Sequence, residues 1–255
     1  MGTFPVLLSI PHGGTKVPAE LKNRLAIGKN GLFEDTDPFT QRIYDLKDKV
    51  KFVTKANVAR AFIDPSRSAT DLPPENPDGV IKSHTCFGKV IYKQDQQPNK
   101  SEIAFLLEKY YAPYHHQIQE IILAGRNDLK ICFDCHSMAE IGPQISPDTG
   151  ESRPLICLGN RFGASAEDAV VYKLKSCFVT AFELKETDVT INKPFAGGFI
   201  TNRYGNNPLP WVQIEMNRKL YLKEPWFNSE TLKISKSKID DLNNKFFLAL
   251  KMYFS

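Results

Sequence analysis

The sequence predicts an α/β domain in which short apolar strands alternate with amphipathic helices, and three stretches carry that expectation. Residues 130–138, KICFDCHSM, run an apolar strand into a polar segment, so His136 is expected to emerge where the strand ends. Residues 6–10 repeat the arrangement, because Pro11-His12-Gly13-Gly14 follows at once. In residues 211–215, Val212 and Ile214 share one face while Gln213 and Glu215 share the other. Open α/β sheets collect ligands at the carboxyl ends of their strands, so two histidines and a glutamate arrive at candidate site positions.

The 255 residues suffice for a sizeable core and are read as one domain, 1–255. Residues 18–26 are expected as a short helix. Phe39, Ile43, Leu46 and Val50 then recur at helical intervals, and Asp37 before Pro38 reads as an N-cap followed by proline at the first helical position. Asp35 has no such structural task. Strands are expected at 51–56 and 59–63. Residues 64–84 are rich in proline, aspartate and asparagine; a loop of that length inside a compact domain is usually functional, and it is expected to border the active site.

A strand near 89–92 precedes a long helix capped by Ser101, with Ile103, Leu106, Tyr114, Ile118 and Ile122 in helical register and a kink expected at Pro113. His115 and His116 fall in that helix and face different directions. Strands follow at 155–158 and 189–192, separated by a helix over 166–184 with the capping signature Ser165 and Asp168. Gly197 and Gly198 then permit close backbone approach. The chain ends in a Lys-rich helix whose apolar face holds Ile239, Leu242, Phe246, Ala249 and Leu250.

Composition narrows the function classes. A hydrophobic share of 42% with no stretch of about 18 apolar residues excludes a helical membrane-spanning chain. The N-terminus lacks a basic region and its apolar run is short, so a cytoplasmic location is expected. Five cysteines, Cys86, Cys132, Cys135, Cys157 and Cys177, have no framework spacing and are expected as reduced thiols. The net charge of +4 is mild, and much of the excess lies in the last helix, which reads as a solvated face rather than a nucleic-acid surface. A small molecule is the expected partner.

A hydrolytic zinc site needs three imidazole or carboxylate ligands and an open position for water, which His12, Asp35 and His136 can supply. A nearby carboxylate must then move a proton, and Glu215 is the candidate. Arg67 and Arg203 offer planar forks for an acidic substrate. A competing reading uses Cys135 or Ser137 as nucleophile, although residues adjacent to His136 in an extended segment point away from it. A third treats the chain as a non-catalytic metal binder.

Taken together, PHGG with Val17-Pro18, the DTD of residues 35–37 before Tyr44-Asp45, and DCHSM resemble the N-formylglutamate amidohydrolase family. So do Arg60-Ala-Phe-Ile-Asp64 with Arg67, Tyr111-Ala-Pro-Tyr-His115, Asn192-Lys-Pro-Phe-Ala-Gly-Gly198 and Gln213-Ile-Glu-Met-Asn-Arg218. The resemblance implies a mixed β-sheet flanked by helices, related to the zinc carboxypeptidase-like (phosphorylase/hydrolase-like) fold. It also implies hydrolysis of N-formyl-L-glutamate to formate and L-glutamate, as in histidine degradation, with one zinc ion. His12, His136 and the DTD carboxylates match its metal motifs, with Asp35 chosen because capping accounts for Asp37. Glu215 matches its base, and Arg67, Arg203, Asn192, Gly197 and Gly198 are expected at the substrate. Two departures bear on substrate: Asp64-Pro65-Ser66-Arg67 alters the segment around the arginine, and Arg203 stands where the family tends to show histidine. Another N-acyl or acidic compound stays open.

Overall fold

The computed structural model describes residues 3–125 and 127–255. Six strands, β1 (Phe4–Ile10), β2 (Val50–Lys55), β3 (Ile131–Met138), β4 (Ile156–Gly159), β5 (Val189–Ile191) and β6 (Trp211–Asn217), form one sheet in the order β2-β1-β3-β6-β4-β5. The first four in that order run parallel, β4 is antiparallel to β6, and β5 is parallel to β4. The expected α/β class is observed, with the sheet mixed. The helices are α1 (Lys29–Asp35), α2 (Thr40–Ile43), α3 (Lys100–Leu106), α4 (Ala112–Gly125), α5 (Asp168–Phe182), α6 (Phe199–Tyr204) and α7 (Lys236–Tyr253). None is long and apolar enough to cross a membrane.

Period-two alternation decides where the site lies. Val6, Leu8 and Ile10 on β1, Phe133 and Cys135 on β3, and Val212 and Ile214 on β6 pack with α5 and α7 in the largest core. The five apolar positions expected on the last helix are all buried there. The opposite face starts equally apolar, with Leu7, Cys132 and Trp211 against Tyr114, Ile118 and Ile122 of α4. Two and four residues further on, it becomes polar: Ser9 on β1, Asp134 and His136 on β3, Gln213 and Glu215 on β6, all buried. Burying such groups is costly unless each finds a partner, so this end of the face is organised by hydrogen bonds and charge rather than by oil.

Several local expectations are corrected. His136 lies inside β3 and not beyond it, because β6 continues to Asn217 and pairs His136 with Glu215. Only Thr40–Ile43 of the helix expected over 39–50 forms. Phe39 sits at its N-cap with φ 65, and Asn243 of α7 donates to the Ile43 and Asp45 carbonyls that a longer helix would use. Residues 59–63 turn back, with the Phe62 and Ile63 N–H groups on the Ala59 carbonyl, and their apolar side chains build a third core with Val80, Ile81, Ile91 and Tyr92. The expected strand near 89–92 makes isolated bridges only, and 18–26 keeps a single 3₁₀ turn, Ala19–Leu21.

Capping also moves. Asn99, in a reciprocal pair with Glu102, caps α3 in place of Ser101. A π-turn over Leu107–Tyr111 stands just before Pro113, absorbing the missing N–H and ring clash that a regular helix would suffer there. Ser165 does not cap α5; its hydroxyl donates to the Trp211 carbonyl and joins the helix entry to β6. All five cysteines are free thiols.

Candidate metal and hydrolytic site

His12 stands two residues beyond β1, and its carbonyl accepts the Asp37 N–H over 3.0 Å, which draws the DTD segment against the strand exits. Asp37 Oδ2 lies 3.5 Å from His12 Nδ1 and 3.3 Å from His136 Nδ1, and the two Nδ1 atoms are 3.1 Å apart. These three buried residues offer ligand atoms within 4.8 Å of one another. Behind each imidazole stands a carboxylate. His12 Nε2 is hydrogen-bonded to Asp64 Oδ1 at 2.7 Å. His136 Nε2 is 2.9 Å from Asp134 Oδ1, a charge contact whose alignment falls short of a hydrogen bond. Asp37 is itself held, by Arg218 Nη2 on Oδ1 and the Ser137 N–H on Oδ2, each at 3.0 Å.

This donor set fits a metal cation. With a proton on each Nε2 toward its carboxylate, both Nδ1 atoms present lone pairs to each other and to Asp37, so acceptors converge on one point. A divalent ion with N and O ligands resolves that convergence, and the outer carboxylates fix the tautomers it needs. Burial raises the carboxyl pKa of Asp37, but His12, His136 and Arg218 override it and hold it well below the usual range. Burial likewise opposes a charge on His136, yet Asp134 and Asp37 push its pKa well above the ordinary imidazole value.

Asp35, expected among the ligands, lies apart from the two histidines. It closes α1, accepts the Cys86 N–H on Oδ1 at 2.9 Å and lies 3.3 Å from the fully buried Lys82 ammonium. Asp37 is not the cap that made Asp35 the choice: its backbone carbonyl, not its side chain, takes the Thr40 N–H and hydroxyl.

Glu215 faces the same space from the neighbouring strand, and burial raises its pKa while His136 beside it pulls the other way. The space is a cavity of about 300 Å³ that also reaches Arg67, Arg153, Phe195 and Gly198. Arg67 directs Nε and Nη2 to Asp78, leaving Nη1 uncommitted, with its side chain 37% exposed. Gly198 lines the cavity and donates its N–H to Gln213 Oε1.

Three expected substrate residues lie elsewhere. Arg203 is exposed on α6, its guanidinium against the Phe199 and Tyr204 rings. Asn192 exchanges hydrogen bonds with Asn160 and supports the β4–β5 end. Gly197, at φ 133, accommodates the Arg161 side chain instead of a ligand. The thiol of Cys135 is fully buried on the opposite face of β3 and burial pushes its pKa up, while Ser137 Oγ accepts from Arg218 Nε at 3.1 Å. Neither has the setting of a nucleophile. His115 joins the 64–84 loop to α6 through the Pro65 carbonyl and the Tyr204 hydroxyl, and burial and Arg203 push its pKa down to about 4.

Sequence reasoning missed Asp134, Asp64, Arg218 and Arg153. Asp134 was detectable, since it precedes His136 by two residues in one strand and so shares its face. Arg153 carries no such signal; it forks onto Asp148 through Nε and Nη2, both at 2.7 Å, and stacks on Phe195.

A family model described as N-formylglutamate amidohydrolase matches residues 4–222. The chain belongs to the N-formylglutamate amidohydrolase family. Two proteins named N-formylglutamate deformylase, from Pseudomonas aeruginosa and Pseudomonas putida, are each 26% identical over 230 residues, covering 88% of this chain and 84% of theirs. The crystal structure of N-formylglutamate amidohydrolase from Ralstonia eutropha JMP134 superimposes with a TM-score of 0.79 at 21% identity, covering 99% of this chain and 94% of that one. A gene product of Agrobacterium tumefaciens gives a TM-score of 0.65 at 18% identity, over 99% of this chain and 92% of the other. These solved structures share the fold. The N-formylglutamate amidohydrolase segment contains His12, Asp37, His136 and Glu215, while α7, which packs the far side of the sheet, lies beyond it.

Proposed function

We propose that the chain is a zinc-dependent amidohydrolase that cleaves N-formyl-L-glutamate to formate and L-glutamate. The observation that carries this is the pairing of His136 with Glu215 across β3 and β6, which sets a carboxylate beside a three-ligand centre at one cavity. The family and the deformylase relatives name the reaction.

His12, His136 and Asp37 would hold the ion, which when bound supplies Lewis-acid polarisation of the amide and of a water. Glu215 takes a proton from the attacking water and delivers it to the nitrogen as the C–N bond breaks, so the amine leaves neutral and the water oxygen departs in formate. Its burial suits that cycle, because desolvation favours the protonated form it must pass through. Arg67, with Nη1 open at the cavity, binds a substrate carboxylate by a charge-assisted bond. A cavity of about 300 Å³ admits a small amino-acid derivative.

Formate release by zinc-loaded protein, with a chelated sample alongside, tests the reading. Release that survives complete metal removal contradicts the zinc role. Glu215→Gln is expected to keep zinc and to lower kcat by about 100- to 10,000-fold; wild-type turnover in that variant removes Glu215 as the base. A second reading, hydrolysis of another N-acyl amino acid, is favoured by the apolar lining of Phe87, Met138, Ile145 and Phe195. A panel of acyl amino acids ranks the two.

A further inference from the structure

We infer that Gln213 is a positioning residue that fixes the Glu215 carboxylate and ties it to the double-glycine turn on the other wall of the cavity. Gln213 lies two residues before Glu215 on β6, so both side chains leave the same face of the strand. Its amide makes two contacts: Oε1 accepts the Gly198 N–H, and Nε2 donates to Glu215 Oε1 over 2.7 Å. Chemistry dictates this orientation. A backbone N–H can only donate, so the amide oxygen must face Gly198, and the amide N–H is left for the carboxylate. At 4% exposure the residue is sheltered, and bulk water does not readily replace either contact.

Gly198 completes the link. A Cβ there would stand 3.2 Å from Ser66 Oγ and 3.3 Å from Gln213 Oε1, so a side chain would crowd the amide that the backbone approaches. Its φ of −81° is ordinary, which makes the need for glycine one of space. With Oε1 of Glu215 occupied by a donor, Oε2 is the oxygen left to receive a proton. A shift of the turn reaches the base through a single side chain.

The role rests on the proposed reaction only for the task of Glu215, and two variants separate its parts. Gln213→Met keeps the approximate volume and removes both hydrogen bonds. Gln213→Glu retains an acceptor for Gly198 and, when ionised, replaces the donor to Glu215 by a negative charge. Each is loaded with zinc and assayed on N-formyl-L-glutamate. In both, zinc stoichiometry is expected to match wild type and kcat to fall by about 10- to 100-fold, the range seen when outer partners of a site are lost. KM is expected to rise in Gln213→Met alone, because only there is the turn released, and amide exchange of Gly198 is expected to quicken in that variant alone. A crystal structure of Gln213→Met should show the Glu215 carboxylate displaced. Wild-type kcat in both variants, or a Glu215 carboxylate and Gly198 exchange unchanged in Gln213→Met, would overturn the inference. If the wild-type chain releases no formate, the functional reading fails by itself, and Gly198 exchange and the Glu215 position still decide the role of Gln213.

Discussion

Asp35 and Asp37 stand two residues apart and enter two different charge clusters. Asp35 joins Asp64 and Asp78 around the buried Lys82 and the partly buried Arg60, where carboxylates and cations alternate. Lys82 is held charged there: burial and Arg60 oppose its proton, but the three carboxylates raise its pKa above the ordinary value. Asp37 joins two imidazoles whose Nδ1 atoms face each other 3.1 Å apart. The same residue type therefore enters a carboxylate–cation cluster at one position and faces two imidazoles at the other. A buried carboxylate points to a metal when imidazole nitrogens converge with it, and not when ammonium and guanidinium groups surround it.

Asp64 belongs to both regions, taking His12 on Oδ1 and facing Arg60 and Lys82 through Oδ2. The largest effect is expected in the cluster around Lys82. Lys82→Met removes the ammonium that Asp35, Asp64 and Asp78 share and is expected to destabilise the metal-free protein by about 3–5 kcal/mol, the cost of orphaning a buried charge, with zinc stoichiometry unchanged. Denaturant unfolding in chelator measures it, and a loss below about 1 kcal/mol would mean the cluster is hydrated and exposed-like. Asp64→Asn tests the shared residue. Zinc affinity is expected to fall by about 10- to 100-fold as His12 loses its charged partner, read by competition with a chelating dye; unchanged affinity would detach Asp64 from the centre. The smallest effect is at Arg203, outside both regions. Arg203→Ala is expected to leave kinetics on an acidic substrate unchanged and stability within about 0.5 kcal/mol, and a raised KM would place that arginine at the cavity.

What was legible in the sequence divides along the same line. Alternation in 130–138 and 211–215 located His136 and Glu215, and the PHGG turn located His12, because strand period and chain direction act locally. The buried stripe of α7 was legible for the same reason, through its helical period. Which aspartate faces the two histidines was not, since Asp35 is taken up by Lys82, 47 residues away in sequence. The helix expected over 39–50 failed for a similar reason: Asn243, 200 residues away, takes the Ile43 carbonyl. Arg203 and Asn192 looked like ligand residues by type and motif, but α6 turns the first to solvent and Asn160 occupies the second.

Zinc titration of metal-free wild type, Asp37→Asn and Asp35→Asn, followed by isothermal calorimetry, decides which aspartate holds the ion. One tightly bound ion is predicted in wild type and in Asp35→Asn, and none of comparable affinity in Asp37→Asn. Tight binding that survives in Asp37→Asn and disappears in Asp35→Asn would contradict the assignment and return the centre to Asp35.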